Sequence, residues 1–145
     1  MSKSDFFENA FLKLIFNATP IPGLADDAAV GALTHLPVAL HTADPGEAGN
    51  QATSEIVYTG YARIDVIRDN TGWLVSGSNA YPVNPVEFGE MTAGAGGTVT
   101  HASVGDGLGN ILWKGPVTPN ISVVNGVIPR LKGFSDTPQS VISED

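Results

Sequence analysis

TVTHASVGDGLGNILWKGPV, residues 98–117, decides the class of fold. Thr98 to Val104 reads as a strand, Asp106 to Asn110 as a tight turn, and Ile111 to Val117 as a second strand pairing back. The glycine-rich turn also invites a phosphate-loop or calcium reading. It lacks the G-K-[ST] ending, no helix follows it, and the spaced acids and closing Glu of a calcium loop are missing. A hairpin is the plain reading.

The same grammar extends in both directions. Downstream, Ile121 to Val124 and Val127 to Leu131 flank an Asn125-Gly126 turn. Upstream, Met91 to Gly97 is a connector and Val86 to Phe88 a short strand after Pro82 and Pro85. Trp73 to Ser78 is a strand that Asp69-Asn70-Thr71-Gly72 folds back on Tyr58 to Asp69. That last run alternates, with Tyr61, Arg63, Asp65 and Ile67 on one side and Ala62, Ile64 and Val66 on the other. Arg63 and Asp65 therefore share a face. LPVALHTA, from Leu36, has period two and stops at Asp44-Pro45-Gly46. The total is about eight short, regularly spaced strands, which predicts a mainly β, single-domain sandwich or barrel.

One helix precedes them, over residues 4 to 16. Ser4 can cap it, and Asp5 and Glu8 sit where the helix dipole favours acids. Phe7, Phe11, Leu14 and Ile15 recur at helical spacing, and Phe6, Leu12 and Phe16 widen the apolar cover. A helix this apolar needs a second surface, so Phe6, Phe7, Phe11, Leu14 and Ile15 are the candidate interface. Leu24 to Leu33 is a possible short helix. The chain then divides into a helix and linker (1–23), a β domain (24–134) and a polar, acidic tail (135–145).

Composition narrows the function. Of the 145 residues, 42% are apolar and only 15% charged, with a net charge of -8. Low charge suits a subunit that buries surface against neighbours. No Lys/Arg cluster exists, so the footprint of a nucleic-acid binder is missing. There is no cysteine, hence no disulfide. Phe6 to Phe16 is interrupted by Glu8, Asn9 and Lys13, too short and polar for a membrane span, and it lacks the order of a signal peptide.

Catalytic candidates are few. No G-x-S-x-G is present. His41, Asp44 and Glu47 are spaced by three, but Pro45 and Gly46 rule out a shared helix face, so a solvated turn is the better reading and no metal or cofactor is expected. His101 reads as a satisfied strand histidine. Asp65, Asp69, Glu87 and Glu90 supply carboxylates for a glycosidase without an evident pairing. Tyr58, Tyr61, Trp73, Tyr81 and Trp113 would serve a sugar platform or, more simply, packing.

Two stretches carry a family resemblance: Leu36 to Arg63, LPVALHTADPGEAGNQATSEIVYTGYAR, and Thr100 to Gly115, THASVGDGLGNILWKG. Their pattern is H-T-A-D-P, a Gly/Asn-rich loop, an acid, Y-x-G-Y-x-R, then T-H-x-x-V-G and L-W-x-G. It resembles small proteins of tailed phages and prophages that carry the label phage tail fibre or phage structural protein. The resemblance implies a virion component without catalytic residues, made in the bacterial cytoplasm. Its expected partners are copies of itself, as a homotrimer, and major capsid or tail proteins, with no nucleic acid or membrane. Capsid decoration, a cement bridging capsid subunits, is the leading expectation; a tail, tail-fibre or baseplate-associated adhesion subunit is the alternative.

Overall fold

Helix α1 runs from Asp5 to Asn17, one residue beyond the expected end. Ala18 takes a left-handed conformation (φ 50), and the Thr19 N–H bonds back to the Lys13 carbonyl at 3.1 Å. The last turn of α1 holds no basic residue. Arg68 supplies the cation from a distance, donating to the carbonyls of Leu14 and Ile15. These are carbonyls the helix cannot satisfy itself, at the end where positive charge is favoured.

The computed structural model describes residues 5–21, 33–134 and 142–143. The Leu24 to Leu33 helix expectation falls on positions 24–32 that lie outside the described residues, and so does most of the 135–145 tail. The chain is mainly β with one N-terminal helix, and its sheets do not close into a barrel. It forms two compact units, each assembled from separate stretches: residues 1–35, 66–85 and 132–145 in one, and 36–65 and 86–131 in the other.

The first unit holds α1 and two strands, β3 (Trp73–Ser76) and β4 (Asn79–Pro82), which pair antiparallel. The Asp69–Gly72 turn does not return the chain onto the preceding strand as expected. Asp69 Oδ1 instead accepts from the Thr71 and Gly72 N–H groups, at 2.7 and 3.3 Å, turning the chain toward a new hairpin. Asn79–Pro82, which lacks an alternating pattern, is the true partner of β3. Phe16 packs on Trp73 with ring centroids 4.5 Å apart, and both, with Leu12, are buried. Ile142–Ser143 (β9) adds to β4.

The second unit is led by a four-stranded sheet in the order β2-β1-β6-β7. Its strands are β1 (His35–His41), β2 (Ile64–Ile67), β6 (Gly97–Gly105) and β7 (Ile111–Val123). His35 and the second half of β2 belong to the first unit, because the chain passes between units along these strands. β1 is buried continuously from Leu36 to His41, as a central strand covered on both faces is. Its register with β6 sets Val38 opposite Val104 and His41 opposite His101. The two strands expected at Ile111–Val117 and Ile121–Val124 are one: β7 runs through Pro116 and Pro119 by shifting register against β6 between Val99 and His101. Both prolines lie on an edge strand, where a missing N–H costs least. A small ladder of β5 (Val86–Glu87) and β8 (Arg130–Leu131) completes the unit.

The expected strand over Tyr58–Asp69 shortens to β2. Gly60 (φ 106) breaks it, and a Cβ there would overlap the Glu90 carbonyl oxygen, while one at Gly89 would overlap that of Gly60. Two backbones cross at contact distance at this point, which only glycine permits.

Candidate functional site

The polar residues of the two motif stretches converge inside the sheet unit. His41, at the end of β1, has no exposed surface, and Ser103 on β6 is 2% exposed. His41 Nε2 lies 2.8 Å from Ser103 Oγ, and His41 Nδ1 lies 2.9 Å from the Thr53 carbonyl oxygen. Gln51, also without exposed surface, donates through Nε2 to the Pro37 carbonyl at 3.0 Å and to Ser103 Oγ at 3.5 Å. Arg63 NH1 donates to Gln51 Oε1 at 3.4 Å. Its Nε and NH2 form a fork on the Glu55 carboxylate, at 2.8 and 2.7 Å. The Tyr61 hydroxyl donates to Glu55 Oε1 at 2.9 Å and accepts from the Leu40 N–H at 3.1 Å.

The loop that covers the sheet, residues 42–55, is thereby tied down along its length. The Gln51 N–H also reaches the Gly109 carbonyl at 2.9 Å, Thr42 N–H that of Ser54 at 2.8 Å, and Ile56 N–H that of Leu40 at 3.0 Å. A Cβ at Gly105 would meet the Gln51 amide and displace it from its bonds to Pro37 and Arg63. Gly105 and Gln51 belong to different motif stretches, so this contact brings the two stretches together.

Electrostatics follow from burial. Desolvation holds His41 below its ordinary pKa of 6.5, against the opposing effect of its bond to Thr53. Burial pushes the Glu55 carboxyl up, but the bonds from Arg63 and Tyr61 outweigh it and leave Glu55 below its ordinary value. Burial also raises the Tyr61 hydroxyl.

A Ser–His contact at 2.8 Å invites comparison with a hydrolytic dyad. The orienting partner on Nδ1 is a backbone carbonyl rather than a carboxylate, and both side chains are covered, so no substrate carbonyl has a path to Ser103. His41, Asp44 and Glu47 are not brought together. His41 faces Ser103, while Asp44 and Glu47 each hold the Lys114 ammonium at 3.0 Å. Among the described residues, no three His, Cys, Asp or Glu side chains converge as a metal set would. No described helix is long and apolar enough to cross a membrane.

Arg63 and Asp65 were expected to share a face; within the chain it is Glu55 that takes the Arg63 guanidinium. Tyr58 donates to the Gly89 carbonyl at 2.9 Å. Tyr61 stacks on Phe88 at 6.0 Å, Tyr81 meets Phe134 edge-on at 5.4 Å, and Trp73 is buried. These aromatics serve packing.

Of the candidate interface, Phe11, Leu14 and Ile15 are half-buried, whereas Leu12 and Phe16 are the fully covered positions of α1. The side chains of Phe6 and Phe7 lie outside the described residues. Gln51 and Ser103 were missed as network members. The available signal was their place inside the motif stretches, Ser103 within a strand and Gln51 within the loop.

Comparison with known families decides the identity of the pattern. Residues 2–134 match the family described as podophage GP4 fiber I protein gp80. The chain belongs to this phage fibre family. No curated protein matches it. The match spans α1 and every β-strand except β9, so both units are part of the family's shared body. The inward-facing network is then a feature of a virion structural protein.

Proposed function

We propose that this chain is a non-enzymatic structural subunit of the phage fibre, acting through assembly with copies of itself and with neighbouring tail proteins. The observation that carries this reading is the inward direction of the motif chemistry. His41, Gln51, Ser103, Glu55, Tyr61 and Arg63 bind one another and the backbone. Residues used this way specify a rigid body, and a fibre is a stack of rigid bodies. The family's description as a fibre protein favours this over capsid decoration, the earlier expectation. The net charge of -8 suits a soluble subunit before assembly. The expected assembly is a homotrimer, since closed rotational symmetry satisfies the same apolar patch in every copy. Phe6, Phe7, Phe11, Leu14 and Ile15 are the proposed contact surface.

Gold-labelled Fab fragments raised against the chain, imaged on intact particles, test the location. Label on the fibres is the expected result. Label spread over the head shell would replace the reading with capsid decoration, and particles without label would remove the virion assignment. Light scattering of the purified chain tests the stoichiometry, with three copies expected and a stable monomer counting against self-assembly.

A further inference from the structure

We propose that the His41–Ser103–Gln51 relay is an acid-sensitive latch, in which protonation of His41 releases the 42–55 loop from the sheet. The hydrogen-bond geometry permits only one order of donors and acceptors. Thr53 presents a carbonyl to Nδ1 at 2.9 Å, so Nδ1 must carry a hydrogen. In the neutral ring Nε2 is then an acceptor, and the Ser103 hydroxyl must donate to it across 2.8 Å. That uses the hydroxyl's single hydrogen, and Ser103 Oγ accepts from Gln51 Nε2. Gln51 cannot turn its amide over. Its Nε2 faces the Pro37 carbonyl and its Oε1 faces Arg63 NH1, so a flip would oppose acceptor to acceptor and donor to donor.

A proton on His41 Nε2 breaks this order. Nε2 would donate to Ser103 Oγ, and the serine hydrogen would have to turn away with the Gln51 donor still facing it. A buried donor without an acceptor, or a lost Gln51 bond, is the result. The new cation would also have no exposed surface. The charged and titratable groups around it do not relieve it. Glu55 on the covering loop favours the cation, but its carboxylate is already forked by Arg63 and bonded by Tyr61. Arg63 itself and His101, directly opposite on β6, disfavour it. Asp44 and Glu47 at the start of the loop are occupied by Lys114 of β7. The cheapest response is for the segment carrying Gln51 and Thr53 to lift away and let water reach the ring.

The test is a pH titration of the intact wild-type chain by NMR, reading the histidine rings and backbone amide exchange together. His41 is expected as the Nδ1–H tautomer, titrating below 6.5. The Thr42, Gln51 and Ile56 amides should lose protection with the same midpoint. The loss should be about tenfold for each pH unit in the transition, the slope of one proton taken up on opening. Amides of Trp73 and Val83 in the helix unit should keep theirs. In Ser103→Ala, which removes the donor to Nε2, the His41 midpoint should move up toward 6.5. In His101→Gln the loop response should persist. Three results would each overturn the latch: an Nε2–H tautomer at pH above the loop transition, where the ring is neutral, loop amides that follow His101 or no histidine, or loss of protection in both units together. The last would mean global unfolding. None of these readouts depends on whether the chain sits in a fibre or on a head.

Discussion

In the helix-bearing unit the interior is aromatic, and the end of α1 is tied down by side-chain-to-backbone bonds. Phe16 meets Trp73 at 4.5 Å, Asn17 Nδ2 donates to the Trp73 carbonyl at 2.8 Å, and Arg68 closes the helix C-terminus. In the sheet unit buried apolar residues such as Leu36, Leu40 and Val99 are joined by a polar network in which six side chains satisfy one another and the backbone. Apolar contacts are non-directional and tolerate adjustment. A hydrogen-bonded network is directional, and a change at one member leaves its buried partners without a match. The sheet unit is therefore the part whose shape is specified most narrowly, and it carries both motif stretches.

The contrast is broken most severely in the helix unit. Trp73→Ala removes the largest fully buried side chain and should lower stability by about 3–5 kcal/mol, read as a shift in urea midpoint with the slope retained. Phe16→Leu, which keeps most of the volume, should cost about 1–1.5 kcal/mol. If both changes leave the midpoint in place, the aromatic interior is not what holds this unit.

Backbone crossing in the sheet unit comes next. Gly60→Ala meets both a left-handed φ of 106 and the Glu90 carbonyl oxygen. The expected loss is about 2–4 kcal/mol, a sum of strain and overlap. Gly46→Ala is the control, since it shares a positive φ of 76 with open space around its Cβ position. It should cost about 1 kcal/mol. Equal losses at the two sites would show that close approach contributes nothing.

The hairpin of residues 98–117 and the helix were legible in the sequence because local chemistry determines them: Asp106 binds the Leu108 and Asn110 N–H groups of its own turn. The error at Tyr58–Asp69 arose from a tertiary cause. Its alternation is real, yet Gly60 bends away to cross Gly89, and nothing local announces a partner almost thirty residues on. β4 escaped for the reverse reason, since Asn79-Ala80-Tyr81-Pro82 has no strand-like pattern and is ordered by pairing with Trp73–Ser76. The network was only partly legible. The motif pattern contains His41, an acid before Tyr58, Tyr61 and Arg63, but that Arg63 binds Glu55 depends on how the covering loop returns.

Arg63 and Glu55 sharpen the comparison further. The pair is forked and partly shielded, with side chains 31% and 16% exposed. Arg63→Ala should cost about 1–3 kcal/mol, discounted from a fully buried pair for solvent screening. Arg63→Lys should recover only part of it, because an ammonium cannot reproduce the fork or reach Gln51 as well. The same pair sets the acid limit. Glu55 is held below its ordinary 4.5 in the fold, so its contribution is complete above that value and is lost as pH falls through the folded pKa. Thermal melts should therefore decline in acid in two stages, beginning below 6.5 for His41 and below 4.5 for Glu55. In Glu55→Gln the second stage should shrink and the first remain.

The smallest effect is expected at Lys114, and it separates interior polar chemistry from surface polar chemistry within one unit. Lys114 has two carboxylate partners, Asp44 and Glu47, each at 3.0 Å, more close ion pairs than Arg63 makes. Contact number alone would rank it above Arg63. Its partners are open to water, with the Glu47 side chain 95% exposed. Water and salt screen such attraction, and holding the flexible side chains in register offsets what remains. Asp44 also keeps its turn without Lys114, because its Oδ1 accepts from the Gly46 N–H at 2.9 Å. Lys114→Ala should therefore leave the melting temperature unchanged at moderate salt, while Arg63→Ala lowers it clearly. A Lys114→Ala loss as large as that of Arg63→Ala would mean that the surface clamp, rather than the buried network, holds the loop over the sheet.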